Sequence, residues 1–244
     1  MRNEERTLSA ESHLADCHEK PNADALRQDE ASRSSEESRF RLFISFNPSP
    51  NVIRLLGNAQ KTLRQLLERA YDAELPIRWI KSFQFHLTVL FFGNTSAAKM
   101  NSIRARLTEF VGDRPEFPCL TAKGFGCFPA FHRPRVLWIG FALDSSLRNW
   151  QDRLAKAFQG DFVWKERDRS YPHVTIARLA FRRLPPRFGE HLFELAQQTG
   201  MPSWDWQINS ITLMQSILGP KGSEYIALAT LPGGCRTRDQ APMV

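Results

Sequence analysis

The sequence predicts an α+β fold, bilobal and pseudo-two-fold, built as a pair of strand-helix-strand-helix-strand repeats whose central strands line a cleft. Three observations carry this expectation. A four-residue pattern occurs twice, as His86-Leu87-Thr88-Val89 and His173-Val174-Thr175-Ile176. Each copy sits in the middle of the same succession of strand-like and helix-like apolar patterns. Within each copy polar and apolar residues alternate, so on a strand the histidine and threonine share one face and the aliphatic residues take the other.

The elements follow in order. An apolar strand at residues 42–46 opens the first repeat and leads to Ser49-Pro50, a hydroxyl N-cap followed by proline at the first helical position. Ile53, Leu56, Leu63, Leu67 and Ala70 then recur at helical spacing. The first motif strand spans 85–92, a helix carries Ile103, Leu107 and Phe110, and a strand at 117–122 closes the repeat. The second repeat starts with a strand at 136–143 and passes through Asp144-Ser145 into a helix with Leu147, Trp150, Leu154 and Phe158. The second motif strand covers 172–179; a helix with Phe188, Leu192 and Leu195 ends at Gly200, and a strand runs over 208–218. Gly219-Pro220-Lys221-Gly222 is a turn into a last strand at 224–231. The apolar stripes of these elements are core positions.

Residues 1–39 contain no Phe, Trp, Tyr, Ile or Val and carry 6 basic against 10 acidic residues, a net of −4. Such a segment buries too little apolar surface to offset its chain entropy, so it reads as a disordered acidic tail. It has neither the apolar stretch of a secretory signal nor the low acidity of a transit peptide. Residues 40–232 form the two-lobed domain and 233–244 a flexible C-terminal tail. From residue 40 onward the chain holds 27 basic and 16 acidic residues, a net of +11. That balance suits a polyanionic partner, and equally a membrane surface or mere solubility. No apolar run approaches the roughly 20 residues a membrane-spanning helix needs. The four cysteines show no CxxC spacing, which fits a reducing cytoplasm.

Two strands of this kind side by side present two imidazoles and two hydroxyls to one groove. Histidine exchanges protons near neutral pH, so one ring serves as general acid and the other as general base. Threonine hydroxyls donate hydrogen bonds to oxygens on which charge builds. This set suffices for phosphodiester chemistry without a metal. No metal-ligand spacing, P-loop or dinucleotide fingerprint is present in the sequence, so no cofactor is expected.

The paired motifs resemble the two-histidine phosphoesterase superfamily. Arg41-Leu42-Phe43-Ile44, Arg78-Trp79-Ile80, Phe92-Gly93, Arg135-Val136-Leu137-Trp138 and Pro172-His173-Val174-Thr175-Ile176-Ala177-Arg178 narrow the likeness. Together they resemble the bacterial RNA 2′,3′-cyclic phosphodiesterases, formerly described as 2′-5′ RNA ligases, from about Arg41 to Leu231. The resemblance implies the bilobal fold and hydrolysis of RNA 2′,3′-cyclic phosphate ends to 2′-phosphomonoesters. It also implies His86 as proton donor to the leaving 3′ oxygen, His173 as proton acceptor from water, and Thr88 and Thr175 on the phosphate. The residues by themselves do not orient the pair. The same site admits a 2′-5′ phosphodiester or a small cyclic nucleotide as substrate, or a nucleotide-binding module without turnover, which would not need two proton-transfer groups. The expected partners are RNA ends or nucleotides with a 2′,3′-cyclic phosphate, with no membrane, and the chain reads as a monomer.

Phe91 and Arg178 each lie five residues past a motif histidine. Odd spacing puts them on the opposite strand face unless a bulge or the strand end redirects them. Turned to the cleft, they are candidates for stacking on a base or contacting phosphate; otherwise they are a core residue and a surface charge. Tyr171 and the run Lys165, Arg167, Arg169 ahead of the second motif would hold an RNA backbone or form a solvated loop. His132 lacks a matching threonine and His191 falls on a helix, so both read as structural or exposed.

Overall fold

The computed structural model of the protein describes residues 39–112, 116–161, 171–200, 203–220 and 222–233. The two tails, apart from Arg39 and Gly233, lie outside the described residues, as do Lys165, Arg167 and Arg169, and Lys221 of the turn.

The strands are β1 (Phe40–Phe46), β2 (Ile77–Trp79), β3 (Leu87–Thr95), β4 (Cys119–Phe128), β5 (Val136–Phe141), β6 (His173–Leu179), β7 (Asp205–Gln207), β8 (Ser210–Gly219) and β9 (Gly222–Pro232). The helices are α1 (Pro50–Ala70), α2 (Ala97–Gly112), α3 (Ser145–Ala157) and α4 (Phe188–Gln198). The Ser49 hydroxyl accepts from the Val52 N–H at 3.5 Å to start α1, and the Asp144 carboxylate accepts from the Leu147 N–H at 2.8 Å to start α3. Both repeats thus launch their first helix from a capped turn. Val52, Leu56, Leu63 and Leu67 form the buried stripe of α1, and Ile53 packs half-buried against it. Ala70 is exposed, contrary to its helical spacing, because the last turn of α1 runs past the edge of the core. The short strands β2 and β7 have three residues each, too few to show a period in sequence.

The sheet order is β7-β4-β5-β6-β3-β1-β8-β9, with β2 paired to β6, and each of these pairings is antiparallel. A pseudo-two-fold relation is visible in that order. On one side the first motif strand β3 is followed by β1, β8 and β9; on the other the second motif strand β6 is followed by β5, β4 and β7. The first strand of each repeat flanks its own motif strand, whereas the third strand of each repeat is exchanged. Thus β4 joins β5 of the second repeat and β8 joins β1 of the first. The helices repeat the exchange, with α1 against α4 and α2 against α3. The expected two lobes are present, and each completes the other's sheet.

The motif strands meet at the centre, where Leu87 pairs with Val174. Leu87, Val89, Val174 and Ile176 are buried with the helical stripes in a continuous apolar core, while His86, Thr88, His173 and Thr175 on the other face remain partly exposed. Truncating a fully buried leucine such as Leu87 costs about 2–5 kcal/mol, so the core face fixes which way the motif residues point. Among the described residues no helix is long and apolar enough to cross a membrane.

Candidate active site

The antiparallel register of Leu87 with Val174 sets His86 beside Thr175 and Thr88 beside His173. The four side chains line one cavity of about 310 Å³. Directly after its threonine each motif strand carries one extra residue. Ser45 pairs with Thr88 and Ile44 with Leu90, leaving Val89 over; Trp138 pairs with Thr175 and Leu137 with Ala177, leaving Ile176 over. In both copies the extra residue is the third after the histidine. Such a bulge reverses the alternation of faces. Accordingly Val89 and Leu90 are both buried, as are Ile176 and Ala177, and the residues that follow, Phe91 and Arg178, come round to the cavity. The sequence leaves two orientations open for these residues; the bulges select the cleft.

Each imidazole is anchored in the same way. Nδ1 of His86 lies 2.8 Å from the Gln84 carbonyl, and Nδ1 of His173 lies 2.7 Å from the Tyr171 carbonyl. A carbonyl oxygen only accepts, so Nδ1 carries the proton and the lone pair of the neutral ring sits on Nε2. In both rings the position of the free lone pair is thereby set by the residue two positions upstream. Aromatic rings from the neighbouring strands hold the imidazoles in place. Phe43 and Tyr225 contact His86 at centroid distances of 5.1 and 4.6 Å, and Phe128 and Trp138 contact His173 at 4.9 and 5.8 Å. The Trp138 indole lies flat over Gly126 and Gly140, where a Cβ would collide with its ring.

Burial pushes the His86 imidazole down from the ordinary value of 6.5 to about 4; the Gln84 carbonyl opposes that shift, and the charges of His173 and Arg178 add to it. His86 is therefore neutral at physiological pH. An anion placed among these groups reverses the unfavourable Coulomb interactions, so a bound phosphate favours the protonated ring. Arg41 lies over the Phe91 ring at 5.0 Å and lines the same cavity. Among the described residues no group of three or more His, Cys, Asp or Glu side chains is arranged to hold a metal ion.

The model of the 2′-5′ RNA ligase superfamily matches residues 84–219, more than half of the chain. The chain belongs to that superfamily. The match begins at Gln84, whose carbonyl anchors the first histidine, and ends with β8. Curated relatives named RNA 2′,3′-cyclic phosphodiesterase include that of Aeropyrum pernix, 28% identical over 167 residues, covering 68% of this chain and 92% of the relative. That of Thermotoga maritima is 26% identical over 195 residues, covering 77% and 92%. Among solved structures, TT0787 of Thermus thermophilus aligns with a TM-score of 0.58 and 22% identity, over 80% of this chain and all (100%) of that one. E. coli LigT complexed with 3′-AMP aligns with a TM-score of 0.50 and 18% identity, over 81% of this chain and 100% of that one. These alignments share the superfamily fold.

The cavity is also lined by residues that sequence reasoning misses, Arg41, Phe43 and Tyr225. Arg41 and Phe43 alternate along β1, next to the first motif strand, so period-two reading of the Arg41-Leu42-Phe43-Ile44 stretch had a signal for them. Tyr225 had none, because it reaches His86 only through the return of β8 and β9 onto β1. Tyr171 contributes its carbonyl to His173 and packs its ring against Phe128. His132 is exposed and His191 pairs with the Tyr71 hydroxyl at 2.9 Å; neither lines the cavity.

Proposed function

We propose that the protein hydrolyses 2′,3′-cyclic phosphate ends of RNA to 2′-phosphomonoesters. The observation that carries this reading is the pair of Nδ1-anchored imidazoles in one cavity with two threonine hydroxyls, in a chain whose relatives bear the name RNA 2′,3′-cyclic phosphodiesterase. In the proposed reaction Nε2 of His173 takes a proton from water as the water oxygen attacks phosphorus. The bond from phosphorus to the 3′ oxygen breaks, and that oxygen takes the proton carried on Nε2 of His86. The 2′ oxygen keeps the phosphate, and proton exchange with solvent resets both rings. Thr88 and Thr175 donate to the non-bridging oxygens as charge builds there. Phe91, with Arg41 over its ring, and Arg178 border the terminal nucleotide. The assignment of donor and acceptor follows the superfamily resemblance, since the two settings are related by the pseudo-two-fold and anchored alike.

The reaction as written uses imidazole, hydroxyl and water alone. Incubating the protein with an oligonucleotide bearing a 2′,3′-cyclic phosphate, in EDTA, should yield the 2′-phosphate. Turnover that vanishes in EDTA and returns with one divalent metal, or a 3′-phosphate product, would overturn this reading.

A further inference from the structure

Beside the cavity of the two histidines lies a second one of about 630 Å³, bordered by Arg78, Lys81, Phe83 and Arg178. The two are continuous: His86, Gln84, Arg178 and Tyr225 line both. Building on the cyclic phosphodiesterase reading, we propose that this groove binds the nucleotide immediately 5′ of the cyclic end, with Phe83 as its stacking platform.

Four observations support that occupant. The catalytic cavity, at about 310 Å³, is at the small end of ligand pockets and has room for one terminal unit, so a longer chain must continue into the adjoining space. Arg78 and Arg178 are directly opposed in the β2–β6 ladder; both border the groove, and Arg178 also borders the catalytic cavity. A phosphodiester that leaves the catalytic cavity past Arg178 comes within reach of both guanidinium groups, which donate hydrogen bonds to phosphate oxygens. Among the described residues the groove has three cations, Arg78, Lys81 and Arg178, against one carboxylate, Glu224. Finally, Phe83 is 75% exposed at the rim, on the short 3₁₀ turn Ser82–Gln84.

The turn that presents this ring is held firmly. The Gln84 amide donates to the Ser223 carbonyl at 3.2 Å, and the Lys81 ammonium lies 5.8 Å from the Phe83 centroid. An exposed aromatic ring beside cations, next to a phosphate site, is the combination that binds single-stranded nucleic acid without reading its sequence. The groove is therefore expected to favour RNA ends over mononucleotides and to tolerate any base at the penultimate position.

Binding, rather than turnover, tests this. Dissociation constants are measured for a tetranucleotide RNA ending in a 2′-phosphate and for a nucleoside 2′-monophosphate. The wild-type protein should bind the tetranucleotide at least about tenfold more tightly. Phe83→Ala should reduce that preference by about tenfold and Phe83→Trp should retain it; Lys81→Gln should reduce it in low salt. Circular dichroism checks that each variant is folded. Equal binding of the two ligands by the wild-type protein, or an undiminished preference in both Phe83→Ala and Lys81→Gln, would overturn the proposal. Failure of the cyclic phosphodiesterase reading would appear separately, as no hydrolysis by the wild-type protein.

Discussion

At the scale of single residues the site depends on which nitrogen of each ring carries a proton, and that is set by backbone carbonyls two residues upstream. Removing either ring removes one proton-transfer group. His86→Ala and His173→Ala are each expected to lower kcat by about 10²-fold or more, and the double variant by less than the product, because the groups act as a unit. Near wild-type turnover in either single variant would reject the roles. The depressed pKa of His86 also makes it a source of pH-dependent stability. Its folded-state value of about 4 lies below the ordinary 6.5, so the unfolded chain takes up the proton first as pH falls. The associated stability is complete above pH 6.5, is lost between 6.5 and about 4, and changes no further below; the shift is worth at most about 3 kcal/mol. Urea unfolding of wild-type and His86→Asn proteins at pH 7, 5 and 4 isolates it. The difference in stability between them should shrink across that range, and a constant difference would show that His86 titrates normally.

At the scale of elements the decisive device is the bulge that each motif strand carries past its threonine. Alternation was legible in the sequence, and so was the possibility that a bulge redirects Phe91 and Arg178. The bulge itself was not legible, because it is defined by how Thr88 and Leu90 pair with β1, and Thr175 and Ala177 with β5, and pairing is long-range information. Ala70 illustrates the converse: its helical spacing was correct, yet the spacing does not reveal where α1 leaves the core. The bulge at Ile176 has its own support. Its carbonyl accepts from the Ile80 N–H at 2.9 Å and from the Gln60 side chain at 2.8 Å, and the same Gln60 amide reaches the Ile80 carbonyl at 2.8 Å. Gln60 thus ties α1 to both motif approaches and acts as a positioning residue for Arg178. Gln60→Leu should cost about 1–2 kcal/mol, from the loss of its hydrogen bonds to the Ile80 and Ile176 carbonyls, the second of which keeps the Ile80 N–H. It should also raise KM more than it lowers kcat if Arg178, which lines the cavity, borders the substrate as proposed. Thermal unfolding and steady-state kinetics read both effects, and lost stability with unchanged KM would make Gln60 merely structural.

At the scale of the whole molecule, strand exchange makes the two repeats one unit. β4 and β8 each complete the sheet of the other repeat, so neither repeat alone holds a full lobe around its histidine. The repeat was visible in sequence because it is carried by local pattern, whereas the exchange was not, because nothing local distinguishes β4 beside β5 from β4 beside a strand of its own repeat. The same unit concentrates charge. The chain from residue 40 carries a net of +11, and Arg41, Arg78, Lys81 and Arg178 surround the cavities described above. An RNA end brings several backbone phosphates to that surface and a mononucleoside cyclic phosphate brings none beyond its reacting group. Each phosphate contact with a single strand releases about 0.7 counterion, so affinity for the RNA end should fall steeply with salt. In the proposed reaction the step at the cyclic phosphate is a short-range contact with His86, Thr88, His173 and Thr175 inside one cavity, and should respond weakly. Across a salt series, kcat/KM for an oligonucleotide should therefore decline toward the value for the mononucleoside substrate, while kcat for both stays nearly level. Parallel salt slopes for the two substrates, with equal kcat/KM at low salt, would show that the basic surface does not engage the RNA chain and that the natural substrate is a small cyclic nucleotide.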